Sequence, residues 1–267
     1  MAIDYIVDYS CVPKQTLGTE GILERIKERE RAQNVIRIYR EAGDERPLSE
    51  IGFELTRNLP DGTSDTQLII VQNALDNAAE LDPLAHHCEG CPANAAKSPF
   101  GCMNFIQYPI SAAAERWLID QLPPPELPLL WLLLRQGVQE MGYTGDTVRS
   151  LRANPVYFEE RRVIGRDMVE FLFTADQVFE MLFLLGNIQP AHAGMMLLFF
   201  NAVPRAVEAD VIVKIMNKQL TREEIEAKFP FQMQVEEVDD PTVAEIKRFF
   251  YALWCAWRLN VQVILDV

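Results

Sequence analysis

The stretch Asp240-Pro-Thr-Val-Ala-Glu-Ile-Lys-Arg-Phe-Phe-Tyr-Ala-Leu-Trp-Cys-Ala-Trp257, followed by Val261-Gln-Val-Ile-Leu265, decides the fold class. Asp240 can cap a helix, and Pro241 suits its first position because the missing N–H has no intrahelical partner there. Ile246, Phe249, Phe250, Leu253, Trp254 and Trp257 then fall on one face of a 3.6-residue period. Cys255 lies about 180° around the helix from that stripe and is expected to face solvent or a partner. Val261, Val263 and Leu265 alternate with polar or smaller positions, which predicts a closing strand. A strong helix feeding a strand points to an α+β protein.

The rest of the chain carries the same mixture. Ile3, Tyr5, Val7 and Tyr9 alternate as a strand. Thr19 can cap a helix running to about Gln33. The β-branched run Val35–Tyr39 favours a strand, to pair with Ile51, Phe53 and Leu55 as a hairpin. Asp61-Gly62 marks a turn, and a helix is expected from Asp65 to about Leu81. Met103–Ile110 reads as a short strand, with Pro109 at its edge or end. The order β-α-β-β-α-(Cys segment)-β is compatible with a ferredoxin-like βαββαβ unit carrying a Cys-rich insertion. Helices are then expected over Ser111–Leu122, Glu126–Met141, Gly145–Ala153, Ala175–Leu185, Pro190–Val203, Arg205–Asn217 and Glu223–Phe229. Strands are expected over Val156–Val163, Met168–Phe173 and Gln232–Val238. The expected division is an α+β unit over 1–110 and a helix-rich α+β region over 111–267, the two packing as one body or separately.

One segment carries chemistry. His86-His87-Cys88-Glu89-Gly90-Cys91-Pro92, followed by Phe100-Gly101-Cys102, is C-x2-C-x10-C behind two histidines. The chain has five Cys and three His, and five of these eight lie between residues 86 and 102. Uniform scatter would place about 0.5 there, so the clustering suggests ligands. A C-x2-C turn brings two thiolates within reach of one ion at ~2.3 Å, and Gly90 frees the backbone to turn them inward. Cys88, Cys91 and Cys102 with His86 make a Cys3His zinc set. His87 is the alternative fourth ligand, and the spare imidazole is expected to point away. Such a clip would also order a loop of some twenty residues with little secondary structure. An iron–sulfur cluster, a redox C-x2-C pair and plain buried thiols are the competing readings. Cys11 and Cys255 are read as bystanders, and His192 as a helix histidine with ordinary hydrogen bonds.

Composition narrows the function classes. Hydrophobic residues make up 49% and charged residues 24%, enough apolar material for a core. With 25 Lys+Arg against 39 Asp+Glu, the net charge is −14, a poor match for nucleic acid or an anionic membrane. Eight acids against Arg57 alone, over residues 48–96, hold half of that excess in and before the Cys segment. The N-terminus lacks the basic and apolar regions of a signal peptide, and no apolar run reaches the ~18–20 residues of a membrane span. An odd cysteine count without an export signal points to a reducing, bacterial-type cytoplasm. No P-loop, G-x-G-x-x-G, H-E-x-x-H or G-x-S-x-G motif occurs. Three readings follow: a regulatory or assembly module with a structural zinc knuckle, open to a protein partner or self-association; a metal-dependent or iron–sulfur redox enzyme at His86–Cys102; or a sensory module binding a small apolar ligand in the Met/Phe-rich second half.

Overall fold

A computed structural model describes residues 2–58, 64–168 and 171–266. It is a mixed α+β chain in two compact units. One comprises Met1–Tyr9 with Pro92–Val267, and the other Ser10–Cys91.

The first strand of the larger unit is β1 (Ala2–Val7). The smaller unit then follows in sequence as α1 (Val12–Leu17), α2 (Thr19–Glu41), β2 (Gly52–Asn58), β3 (Ser64–Ile70), α3 (Val71–Ala78) and a 3-10 helix over Ala79–Cys88. Its core is Ala32, Ile51, Val71 and Ala74. Two expectations change here. Val35–Tyr39 is helical and extends α2, because Val35, Ile36 and Tyr39 share the face that packs on this core. Burial outweighs the strand preference of β-branched residues at these positions. The hairpin partner of Phe53 is accordingly Ile69, in β3, and the helix expected from Asp65 begins only at Val71. Asp61-Gly62 lies outside the described residues. Arg25 and Arg29 of α2 reach Glu80 at 2.6 Å and Asp82 at 2.7 Å on the 3-10 helix.

The larger unit continues with β4 (Met103–Gln107), α4 (Ala112–Gln121), α5 (Pro128–Met141), α6 (Asp146–Arg152), β5 (Gly165–Met168), β6 (Phe171–Thr174) and α7 (Ala175–Phe183). It ends with β7 (Asn187–Ile188), α8 (Pro190–Phe199), α9 (Ala209–Met216), α10 (Arg222–Lys228), α11 (Pro241–Leu259) and β8 (Val263–Asp266). The main sheet is antiparallel in the order β4-β1-β8-β7, with Ile3 opposite Ile106 and Tyr5 opposite Leu265. The chain's first and last strands are therefore neighbours. The ferredoxin-like order does not form. β1 and β4 pair as it requires, but β2 and β3 pair only with each other, and β8 takes the place beside β1.

The helix α11 organises this unit. The Asp240 side chain accepts from the N–H groups of Thr242 and Val243 and from the Ser111 hydroxyl at 2.7 Å. Phe249 and Phe250 join Tyr5, Phe183 and Phe200 in a chain of ring contacts 5.1–5.9 Å apart. Because α11 meets β1 and β4 as well as α8, it is buried well beyond one stripe. Cys255 is consequently 1% exposed, against the expectation of a solvent-facing thiol. Met195–Phe200 is buried as core, the ordinary reading of so apolar a run. The strand expected over Val156–Val163 reduces to one bridge, Ile110 to Phe158. The hairpin of β5 and β6 occupies the region expected as a single strand at Met168–Phe173. No helix among the described residues is long and apolar enough to cross a membrane.

Candidate functional site

The Cys/His segment divides between the two units. His86, His87, Cys88 and Cys91 belong to the smaller one, at the end of its 3-10 helix, and Cys102 to the larger. Gly90 adopts φ 68°, as the turn requires, and the Cys91 N–H reaches the Cys88 carbonyl at 3.3 Å. The two imidazoles do not diverge as adjacent side chains were expected to. Their centroids lie 3.9 Å apart with the rings tilted 38°, and both are exposed. In the larger unit, Cys102 precedes β4, and its carbonyl accepts from the Val7 N–H at 2.9 Å. Gly101 beside it has no room for a side chain, since a Cβ there would lie 2.9 Å from Ala96 Cβ and 3.0 Å from the Ser98 carbonyl as well as 2.2 Å from Asn94 Oδ1. None of the five cysteines forms a disulfide. Among the described residues no three His, Cys, Asp or Glu side chains gather in a metal-binding group. His192 is exposed in the first turn of α8.

A second site, absent from the sequence reading, lies wholly within the larger unit. It is a cleft of about 910 Å³ between α11, α10, the segment 230–235 and the turn around Lys97. Lys97, Arg222, Lys247, Arg248 and Arg258 line it, with Glu226 as the lone carboxylate. In a chain of net charge −14, five cations on one concave surface form a local inversion of sign. Low-dielectric walls strengthen such a field.

Helix geometry explains the convergence. Lys247, Tyr251, Trp254 and Arg258 recur at four, three and four residues, which is one face of α11. Tyr251 and Trp254 stack with centroids 5.7 Å apart and an interplanar angle of 18°. The Arg258 guanidinium sits 4.7 Å from the Trp254 ring centroid, and Phe231 meets Tyr251 edge-on at 5.1 Å. Trp254 Nε1 donates to the Phe229 carbonyl at 2.8 Å. Trp254, counted in the apolar stripe from its spacing, is half-buried and serves as a cleft wall.

The cations differ in what holds them. Glu226 accepts from Arg222 Nε and Arg258 Nη1, each at 2.9 Å; the bond from Arg222 chiefly holds its carboxyl below the usual range. Arg258 also donates to the Pro92 carbonyl, while its buried Nε has no partner among the described residues. Lys247 is 10% exposed and clamped by both oxygens of Asp239 at 2.7 and 2.8 Å and by the Gln234 carbonyl at 3.0 Å. Lys97 and Arg248 make no hydrogen bond or ion pair among the described residues, and both are exposed. Two fixed cation groups, two uncommitted cations and an aromatic wall can therefore receive an anion with an apolar part. No protein-family model, no curated protein and no solved structure matches the chain.

Proposed function

We propose that this protein is a cytoplasmic regulatory or assembly module that takes an organic anion into the cleft along α11. The observation that carries this reading is the convergence of Lys97, Arg248 and Arg258 on an aromatic-walled cleft of about 910 Å³ in a strongly acidic chain. That volume lies at the upper end of the ~300–1,000 Å³ typical of ligand sites. Each exposed cation contributes no more than about 1 kcal/mol on its own, so the affinity rests on Lys97 and Arg248 acting together with the aromatic wall. The apolar-ligand alternative changes accordingly: the ligand carries negative charge, and its site lies beside α10 and α11 rather than under the Met/Phe-rich helix. Calorimetric titration with a panel of dicarboxylates, aromatic carboxylates, nucleotides and acidic peptides tests the reading. Binding that weakens at least tenfold in Arg248→Glu supports it. Absence of binding across the panel removes it.

A structural zinc at Cys88, Cys91, Cys102 and His86, with His87 as the alternative fourth ligand, is a second and compatible proposal. It is favoured by the concentration of soft donors and by the left-handed Gly90 inside the Cys88–Cys91 turn. Elemental analysis of protein purified without a metal-affinity tag should give one zinc per chain, lost in Cys88→Ser. A visible absorbance band near ~400 nm on anaerobic purification would instead favour the iron–sulfur enzyme alternative. A metal-free protein of undiminished stability would dismiss both.

A further inference from the structure

We infer that the natural occupant of the cleft is an acidic, extended peptide of a partner protein, added as a strand along Phe231–Val235. This rests on the anion-binding reading above and names the class of anion. The sequence Gln232-Met-Gln-Val-Glu-Glu-Val238 alternates as a strand does, yet no strand forms there. Its hydrogen bonds nevertheless alternate. The Gln232 N–H donates to the Ala202 carbonyl at 2.8 Å, the Gln234 carbonyl accepts from Lys247 Nζ at 3.0 Å, and the Glu236 N–H donates to Asp239 Oδ2 at 2.7 Å. Gln232 and Gln234 thus each turn a backbone group toward the protein, while Glu236 opens the tight turn to Asp239. The odd-numbered Met233 and Val235 make no backbone hydrogen bond among the described residues. In an extended chain, residues two apart present their N–H and C=O to the same edge. One edge of the segment is thus tied down at Gln232 and Gln234, and the other, at Met233 and Val235, lies open along the cleft.

Such an edge is a template for another strand. It offers donors and acceptors in alternation, which a peptide main chain matches. A phosphate or a free carboxylate would use only the donors and leave the carbonyls of Met233 and Val235 unmatched. The five residues Phe231–Val235 span about 17 Å at ~3.4 Å per residue, so the complementary segment is about five residues long. Acidic side chains of the peptide meet Lys97 and Arg248, which make no hydrogen bond or ion pair among the described residues. The alternate, apolar side chains lie against Phe231, Met233 and Tyr251, all half-buried.

The test is selection from a displayed random heptapeptide library on the full chain, followed by titration of the best synthetic peptide. The expected enrichment is in sequences alternating Asp or Glu with apolar residues. Val235→Pro, on an exposed irregular segment, removes one edge donor. It should weaken the peptide at least tenfold and leave small-anion binding unchanged. N-methylation of alternate peptide amides should weaken binding equally, in one of the two phases only. An unenriched library, enrichment of basic peptides, an unaffected Val235→Pro, or tighter binding of a single-stranded oligonucleotide overturns the inference. If small organic anions still bind with Arg248→Glu sensitivity in those cases, the anion-binding reading survives alone. If neither small anions nor peptides bind, both fall.

Discussion

Arg152 and Glu115 pair where water is excluded, the guanidinium 2% exposed and the carboxylate 0%, tying α6 to α4. The same guanidinium donates from Nε to Asp176 of α7 at 2.8 Å and to the Glu160 carbonyl at 2.6 Å, and lies 4.3 Å from the Phe158 ring centroid. Burial pushes the Glu115 carboxyl up, and the Arg152 hydrogen bond pulls it back only in part. Arg149, whose Nε is 3.8 Å from Asp176 Oδ2, supplies a second positive charge at the rim. Removing one member of a buried network leaves the other charges unpaired, which costs about 3–5 kcal/mol. Arg152→Ala should lower stability by about that amount in urea titration. A loss below about 1 kcal/mol would show that water or Arg149 replaces the missing charge.

The contact between α8 and α11 leaves no room for a side chain at residue 194. A Cβ on Gly194 would sit 2.8 Å from Trp257 Cε2 and 3.0 Å from Ile215 Cγ2, and both neighbours are buried. Alanine is favoured over glycine in a helix by about 1 kcal/mol, whereas overpacking a core costs typically 1–3 kcal/mol. The rigid indole decides between them. Gly194→Ala should destabilise by about 1–2 kcal/mol, with a shifted tryptophan emission as its local signature. A variant as stable as the parent would mean that α8 slides without penalty.

These two features explain what the sequence could and could not disclose. Capping signals were local and mostly survived folding: Asp240 with Pro241 starts α11 as its chemistry demands, whereas Thr19 lies inside α2, whose N-cap is Gly18 with no side-chain cap. Val35–Tyr39 misled because its preference was overruled by a core made with Ile51 and Val71, residues distant in sequence. Phe249 and Phe250 were legible as core from their period alone. The cleft was hidden because its stripe, Lys247, Tyr251, Trp254 and Arg258, shares a helix with that stronger apolar stripe and mixes charge with aromatic rings. Its other wall comes from α10 and from the turn at Lys97, and no local pattern announces that these meet. The cysteines were conspicuous by composition, but their placement depends on elements from both units.

Acid should loosen the cleft through Asp239. Burial alone would raise its carboxyl, but the Glu236 N–H and Lys247 together hold it below the ordinary aspartate value. Its folded pKa is thus lower than its unfolded one. The stability from the Asp239–Lys247 pair is complete above the unfolded value of about 4 and is lost as pH falls through the folded value. Asp239→Asn should be less stable than the parent at pH 7, and the gap between the two should close as the pH falls from the unfolded value of about 4 through the lower folded value. Denaturant midpoints of both proteins across that range give the answer. A gap independent of pH would assign the Asp239 effect to packing rather than charge.

Glu226 sets the affinity of the cleft for anions. Its Oε1 holds Arg222 and Arg258 at once, so an incoming carboxylate competes with a carboxylate already in place. Glu226→Gln keeps the size and one acceptor but removes the charge. Arg258 remains fixed by the Pro92 carbonyl and by its position over Trp254, so the cleft wall should persist. Removing the lone lining carboxylate strengthens the local positive field, and binding of an organic anion should tighten severalfold, by about 1 kcal/mol. The gain should shrink as salt is raised, since the Debye length falls from about 10 Å at 0.1 M to 3 Å at 1 M. Weaker binding in Glu226→Gln would mean that Glu226 serves to aim Arg222 and Arg258 rather than to compete for them. The salt series separates the two cases, because misaimed guanidiniums lower affinity at every ionic strength.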